Sequence, residues 1–355
     1  MDQKHELNYN RKRYKYPARY DIEQTLGKFA QRDFVEEFAN NRGIFITKAT
    51  REQLADKLSY FFYDDDDIEE IRDVAYKTSR TQTLSGFSVS LKEGAGLVDS
   101  IRNAFQNNEF DSHVDVSPLI KTNNTDFEEY KSEVTYNSKK PGRIEFLQEE
   151  SITFDLIVRK TAENDYQILT VGNKATDDSI CKKIIKKSIK KRGNIVSLDH
   201  DDLTTPQTIV FFDNLANDGI QGEWNLLEVR KLTLRRGEDE IQDASTNDLV
   251  GISQAVLDGD NLRHNSFVKQ TEENGYRFMS MTYRFAHNSE PYIIDIKAEF
   301  KLRPKLYVVD VVEFYEVFGT KGVKLKKEMN PSFRYEVKDK LWNSSRRIFE
   351  ETKNE

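Results

Sequence analysis

The chain has 355 residues and a formal net charge of −7, so it is long enough for two domains and a small third, and it is not a uniformly basic nucleic-acid binder. Its single cysteine, Cys181, excludes an intrachain disulfide framework and a thiolate zinc site, and it fits a reducing compartment. Any binding of a polyanion must therefore depend on local patches of cations.

Signals for secretion or membrane insertion are missing from the sequence. Residues 1–16 contain no apolar core of the kind that a secretory signal needs. No run of residues approaches the roughly 18 apolar positions of a membrane span. We therefore expect a cytoplasmic protein with no membrane partner.

Residues 1–20 form a basic, aromatic arm in which Arg11, Lys12, Arg13 and Lys15 alternate with tyrosines. Cations of this kind neutralise phosphates, and flat aromatic rings stack on bases. The arm is therefore a candidate nucleic-acid contact. The alternative is a solubilising, partly disordered tail, which is common at chain termini.

Residues 21–80 predict a helical module, and its clearest part is a helix, an extended link and a second helix over residues 32–62. Gly43 is placed as a helix-ending glycine, and the link that follows is β-branched and aromatic. Thr50 and Gln53 have the spacing of a capping box, which predicts the start of the second helix. The apolar stripes of the two helices are Phe34, Val35, Phe38 and Ala39, and then Leu54, Ala55, Leu58, Phe61 and Phe62.

In these features the segment resembles the SAP, LEM and Rho-N group of helix-extended-helix modules. The match includes the Gly43–Ile44 step and a capped second helix with the pattern of Glu52, Leu54 and Leu58. The resemblance implies contact with DNA or RNA through the link and the start of the second helix. The residues that it implies are Arg42, Lys48, Thr50, Arg51 and Lys57. LEM-type relatives bind proteins instead, and a plain helical hairpin remains a further alternative.

Residues 81–135 predict a mixed connector with one helix. Residues 80–95 are polar and contain glycines, which favours a loop with a short strand, whereas residues 97–108 are amphipathic at helical spacing. Residues 109–140 are polar and acidic. We place a domain boundary near residue 135, where the apolar period changes from that of a helix to that of a strand.

Residues 136–329 predict an antiparallel, β-rich domain, and residues 330–355 predict a C-terminal helix. Residues 276–285, 292–302 and 305–318 read as a meander with one wet face. Residues 208–215 and 224–236 read as strands, and residues 248–257 read as a helix.

A basic helix over residues 178–193 is the strongest local charge feature. Asp177 and Asp178 precede it and Gly193 follows it, which suits the ends of a helix. Isoleucines and Cys181 occupy one face. The cations on the remaining surface are Lys182, Lys183, Lys186, Lys187, Lys190, Lys191 and Arg192. These side chains suit a phosphate backbone, an anionic lipid or an acidic partner protein, and a merely solvated face is the alternative.

Catalytic motifs are mostly missing. The sequence contains no Walker-type loop, no His-Glu-x-x-His and no Gly-x-Ser-x-Gly, and we expect neither a cofactor nor a metal site. Asp295 and Lys297 have the local spacing of a Mg²⁺-dependent nuclease, although the preceding strand offers no second acid. Alternating charges on an exposed strand explain the same two residues. His200, Asp201 and Asp202 are expected to form a turn.

The sequence as a whole predicts an α+β protein in which a small helical N-terminal module precedes an antiparallel β-rich domain with a few helices. The leading function is that of a non-catalytic nucleic-acid-binding subunit of a larger assembly, with DNA favoured over RNA. A protein-interaction scaffold that docks an acidic partner and a Mg²⁺-dependent nuclease are the alternatives. The oligomeric state stays open.

Overall fold

The structure is a computed structural model. It describes residues 16–45, 48–76, 82–92, 96–106, 114–124, 126–139, 147, 149–172, 175–190, 192–220, 222–236, 253–318 and 323–354. The chain divides into two compact units. The first unit comprises Met1–Arg80 and Tyr136–Ile152, and the second unit comprises Thr81–Thr135 and Thr153–Glu355.

The first unit contains four α-helices among its described residues, and a π-helical turn, Thr25–Phe29, follows the first of them. The helices are α1 (Arg19–Gln24), α2 (Arg32–Asn41), α3 (Arg51–Leu58) and α4 (Asp65–Tyr76). Their apolar faces meet in one core. The largest contributors to this core are Ile22, Leu26, Val35, Phe38, Leu54, Leu58, Tyr63 and Ile71.

Local sequence signals explain where α2 ends and α3 begins. Gly43 follows α2 with a φ of 73°, a left-handed conformation that a glycine adopts without a steric penalty. Thr50 Oγ1 accepts a hydrogen bond from Gln53 N at 3.2 Å, and Gln53 Oε1 accepts one from Thr50 N at 2.9 Å. The predicted capping box is therefore confirmed.

The second unit is built on a large antiparallel sheet. Its strands lie in the order β2-β4-β5-β6-β1-β12-β11-β10-β8-β9, while β13 pairs with β12, β3 with β4 and β7 with β1. The strands are β1 (Thr83–Leu91), β2 (Val114–Val116), β3 (Ile120–Lys121), β4 (Glu128–Lys139), β5 (Glu149–Lys160), β6 (Asp165–Gly172), β7 (Gly193–Val196), β8 (Trp224–Arg236), β9 (Gln254–Asp258), β10 (Tyr276–His287), β11 (Tyr292–Leu302), β12 (Lys305–Phe318) and β13 (Val323–Lys326). Helices and this sheet together confirm the α+β class.

Helices cover both faces of the sheet. They are α5 (Leu97–Gln106), α6 (Ala175–Ile189), α7 (Thr205–Asp218), α8 (Ser266–Glu273) and α9 (Pro331–Asn354). A Cβ atom added to Gly86 would lie 3.1 Å from Trp342 Cζ2, so α9 lies close against one face of β1. The neighbouring Phe87 points to the opposite face, where Lys182 of α6 lies over its ring. Among the described residues, no helix is both long and apolar enough to cross a membrane.

Two element predictions are wrong. Residues 208–215 lie in α7 rather than in a strand, and Thr204 caps that helix by accepting a hydrogen bond from Gln207 N. The run of apolar residues suits a fully buried helix as well as a strand, so periodicity alone did not separate them. Residues 254–257, predicted as helix, lie in β9, which pairs with β8; residues 248–252 lie outside the described part.

Residues 81–135 also differ from the predicted connector. Besides the one predicted helix, α5, they contain β1, β2, β3 and most of β4. Strand β1 is central, since it pairs with both β6 and β12. Its small residues, including Ser85 and Gly86, resemble a loop in sequence, but they allow helices to approach the strand closely on both faces.

Candidate nucleic-acid interface

Helix α6 presents a buried apolar face and an exposed basic face. Cys181, Ile184, Ile185, Ser188 and Ile189 are all buried. The helix starts before the predicted residue 178 and ends before the predicted residue 193. It ends at Ile189, and the next residue, Lys190, has a φ of 52°, while Gly193 begins β7 instead of stopping the helix.

Three lysines form the exposed face of α6 and its end. Lys183, Lys186 and Lys190 are spaced so that they fall on one side of the helix, and all three are exposed. Lys190 follows Lys183 by seven residues, a step that corresponds to about 10 Å along a helix axis. Among the described residues, Lys183 and Lys186 have no ion-pair partner. We call these three lysines the lysine ridge.

The other predicted cations of this helix are placed differently. Lys182 turns inward and forms an ion pair with Asp178, with 3.0 Å between Nζ and Oδ2. Lys187 is half-buried. Arg192 is exposed, with Nη2 3.4 Å from Ser100 Oγ. Lys191 lies outside the described residues.

The acids that precede the ridge do not neutralise it. Asp177 and Asp178 are both buried, and burial raises the pKa of Asp178 while Lys182 counters that rise. At the other end, Lys92 N donates a hydrogen bond to Arg192 O at 2.8 Å. This bond brings two further exposed cations together beyond the last turn of α6.

In the first unit, most of the residues implied by the resemblance have structural roles. Arg42 forms an ion pair with Asp67, donates a hydrogen bond to Phe38 O at 3.1 Å and lies 3.4 Å from the centroid of the Phe38 ring. Arg51 donates a hydrogen bond to Ala30 O at 3.2 Å. The Thr50 side chain caps α3. The exposed cations that remain are Lys48 and Lys57.

The described helical part of the first unit is acidic, which disfavours contact of that part with a polyanion. Residues 16–45 and 48–76 contain eight lysines and arginines against fourteen aspartates and glutamates. Exposed aromatic rings suited to base stacking are present, since Phe45 is 77% exposed and Phe62 is 95% exposed, but they lie within this acidic stretch of residues 16–45 and 48–76.

The predicted contacts of the arm, Arg11, Lys12, Arg13 and Lys15, lie outside the described residues. The described residues at the end of the arm contact the helices of the first unit. Tyr63 N donates a hydrogen bond to the Tyr16 hydroxyl at 2.9 Å. Arg19 forms an ion pair with Asp56 at 2.9 Å, and its guanidinium lies 3.4 Å from the centroid of the Tyr60 ring.

The candidate nuclease pair is held in ion pairs. Both carboxylate oxygens of Asp295 accept hydrogen bonds from Arg284, each at 2.7 Å, and Asp295 is only 5% exposed. Arg284 also pairs with Glu228 at 3.2 Å, and its pKa is raised mainly by the hydrogen bond to Asp295. Lys297 Nζ lies 2.9 Å from Glu299 Oε1. A Mg²⁺ ion would have to displace Arg284 to reach Asp295.

A cavity of about 660 Å³ lies between α7, β8 and α8. Its charged lining contains more acids than bases, namely Asp213, Glu228, Glu272 and Glu273 against Arg263 and Lys269. The Arg263 guanidinium donates to both oxygens of Asp213, at 2.6 and 2.7 Å, and it pairs with Glu272. This cavity therefore does not suit a phosphate group.

Comparison of the sequence with protein-family models and curated proteins gives no relative. No protein-family model matches the sequence, and no curated protein matches it. The resemblance of residues 32–62 to the SAP, LEM and Rho-N group stays a prediction. The lysine ridge therefore has to be judged on its own geometry and charge.

Proposed function

We propose that the chain is a non-catalytic nucleic-acid-binding protein and that the lysine ridge is its main contact. The observation that supports this most strongly is the placement of Lys183 and Lys186 on the exposed face of a helix whose opposite face is buried in the core, with the exposed Lys190 directly after its last residue. Cations held in this way do not lose the entropy of ordering a backbone when they bind.

The ridge suits the phosphate backbone rather than the bases. A lysine ammonium is a flexible point charge, whereas base recognition favours planar arginine and amide groups. Contacts to phosphate position a protein on nucleic acid but carry no sequence information. We therefore propose binding without strong sequence preference. The preference for DNA over RNA depends only on the resemblance of residues 32–62.

Replacing the ridge lysines tests this proposal. The triple variant Lys183→Gln, Lys186→Gln, Lys190→Gln should weaken binding to a short DNA duplex at least tenfold at low salt, because up to three phosphate contacts are lost. Fluorescence anisotropy measures the affinity. The matched control is Lys28→Gln, Lys269→Gln, Lys324→Gln, which makes the same change of net charge at exposed lysines elsewhere. Equal losses in the two triple variants would contradict the proposal.

An acidic partner protein is the competing explanation of the same ridge. It predicts that the wild-type chain has no measurable affinity for duplex or single-stranded DNA or RNA even at low ionic strength. The nucleic-acid proposal predicts affinity that falls steeply as salt is added. The same anisotropy titration, repeated with the four nucleic acids, distinguishes the two and also tests the preference for DNA.

The proposal that this chain is a subunit of a larger assembly is supported by exposed aromatic side chains on the first unit. Phe45, Phe61 and Phe62 are exposed. Large exposed apolar side chains of this kind are typical of protein interaction sites. The acidic surroundings of these rings favour a partner surface that is apolar and basic.

A further inference from the structure

The turn between β7 and α7 holds a buried histidine between two aspartates. His200, Asp201 and Asp202 form a single 3₁₀ turn, as expected from the sequence, and Asp199 caps it. Asp199 Oδ1 accepts a hydrogen bond from Asp201 N at 3.1 Å, which fixes its carboxylate beside the turn. His200 is only 7% exposed, and its ring centroid lies 6.4 Å from that of Phe300.

The two ring nitrogens of His200 have different surroundings. Nε2 lies 2.9 Å from Asp201 Oδ1, a distance at which an N–H group donates a hydrogen bond to the carboxylate. Nδ1 lies 3.2 Å from Asp199 Oδ1, yet this buried atom makes no hydrogen bond. With the proton on Nε2, the lone pair of Nδ1 faces the Asp199 carboxylate. A second proton on the imidazole or a metal ion bound by both atoms would remove the repulsion between these two electron-rich atoms.

We propose that His200 Nδ1 and the Asp199 carboxylate bind a divalent transition-metal ion of the zinc class. In a tetrahedral zinc site with bonds of about 2.0–2.1 Å, two ligand atoms lie about 3.3 Å apart, close to the separation seen here. One ligand atom from each of Asp199, His200 and Asp201 lies within 4.8 Å of the others. Water would complete the coordination.

The role of Asp201 supports a metal on the other nitrogen. A histidine that binds a metal commonly donates its second N–H to a carboxylate, which orients the ring and makes the ligand nitrogen more basic. The hydrogen bond from His200 Nε2 to Asp201 has this arrangement. An imidazole nitrogen with carboxylate oxygens suits zinc, whereas Mg²⁺ and Ca²⁺ prefer oxygen ligands alone.

Lys305 is the natural competitor for such an ion. Its ammonium bonds to Asp201 and lies 3.8 Å from Asp199 Oδ2, so it supplies positive charge to both carboxylates. The pKa of Asp201 is lowered mainly by this hydrogen bond. Because Lys305 is exposed and flexible, it can leave when a metal binds. Removing it should therefore strengthen metal binding, an effect opposite to that of losing a purely structural ion pair.

The experiment is a zinc titration of the full, untagged chain in competition with a chromophoric chelator. We expect one equivalent of bound zinc, at least tenfold weaker binding in His200→Gln and in Asp199→Asn, and severalfold tighter binding in Lys305→Met. The matched control is Asp202→Asn. Asp202 lies in the same turn, but its carboxylate pairs with Lys353 at 2.7 Å and is not one of the proposed ligands. The zinc affinity of this variant should equal that of the wild type.

Two outcomes would overturn the site. Either the wild-type chain takes up no zinc, or His200→Gln binds zinc as well as the wild type does. The melting temperature, measured with and without zinc, shows whether each variant is folded. Zinc should raise the melting temperature of the wild type and of Asp202→Asn, and Lys305→Met should bind at least as tightly as the wild type.

Discussion

At the residue scale, the environment of each cation decides between a structural and a binding role. Arg42 and Arg284 are held by carboxylates from other elements, whereas Lys183 and Lys186 are exposed and unpaired within the described residues. The sequence predicted Arg42, Lys183 and Lys186 alike as contacts for nucleic acid, because residue type alone does not separate the two roles. The ion pair of Arg284 and Asp295 could have been predicted from the sequence, since the hairpin of β10 and β11 places the two residues directly opposite each other.

Arg42 should contribute to stability and not to nucleic-acid binding. Arg42→Ala should lower the free energy of unfolding by about 2 kcal/mol, because it removes a partly buried ion pair and a stacking contact on Phe38. The control Arg32→Ala removes an exposed pair with Glu36 and should leave the free energy of unfolding nearly unchanged. Urea unfolding measures both. A tenfold loss of DNA affinity in Arg42→Ala alone would restore the predicted contact.

Asp295 should likewise be structural. Asp295→Ala should lower the free energy of unfolding by about 3 kcal/mol, because it leaves Arg284 partly buried with Glu228 as its remaining partner. We expect no plasmid cleavage with Mg²⁺ from the wild type or the variant. Mg²⁺-dependent cleavage that disappears in a folded Asp295→Ala protein would establish the nuclease instead.

Lys338 should make stability depend on pH. Burial lowers its pKa from 10.5 to about 8, and its ammonium donates to Gln82 O at 2.6 Å. The unfolded chain holds this proton more tightly, so the destabilising effect is largest below pH 8 and fades as pH rises towards 10.5. The free energy of unfolding of the wild type relative to Lys338→Met should therefore rise by on the order of 2 kcal/mol between pH 7 and pH 9.5. A constant difference would contradict the lowered pKa.

Among the secondary-structure elements, those that depend on residues close in sequence were predicted correctly. The capping box of α3, the glycine after α2 and the meander of β10, β11 and β12 were all readable, because each depends on residues close in sequence. Strand β1, helix α7 and strand β9 were not. The conformation of β1 depends on β6 and β12, which lie far away along the chain, whereas α7 begins with a local capping box of Thr204 and Gln207 that could have identified it as a helix.

Gly86 provides a test of how β1 is packed. A Cβ atom there would lie 2.3 Å from Ile168 O and 3.1 Å from Trp342 Cζ2, so Gly86→Ala forces the strand or α9 to move. We expect a loss of about 2 kcal/mol or more in the free energy of unfolding. The control Ser88→Ala, at a half-buried position of the same strand, should change it by less than about 1 kcal/mol. A neutral Gly86→Ala variant would show that α9 does not lie against β1.

At the scale of the whole molecule, the α+β class was predictable from the change of apolar period, but the location of the binding surface was not. The basic arm and the predicted helix pair placed the expected binding surface at the N-terminus, whereas the described helices of that unit are acidic. The ridge lies on the second unit, in a chain whose formal net charge is −7. Screening at physiological salt limits charge effects to about 8 Å, so a local ridge can bind phosphates despite the net charge.

Binding of nucleic-acid phosphates by the lysine ridge is the basis of the proposed function. The most direct measurement is the slope of log affinity against log salt concentration for a DNA duplex, compared between the wild type and the ridge triple variant. If all three lysines contact phosphates, the variant should lower the magnitude of that slope by about 2.7, since each contact contributes about 0.9. An unchanged slope in the triple variant would show that the ridge does not touch the phosphates.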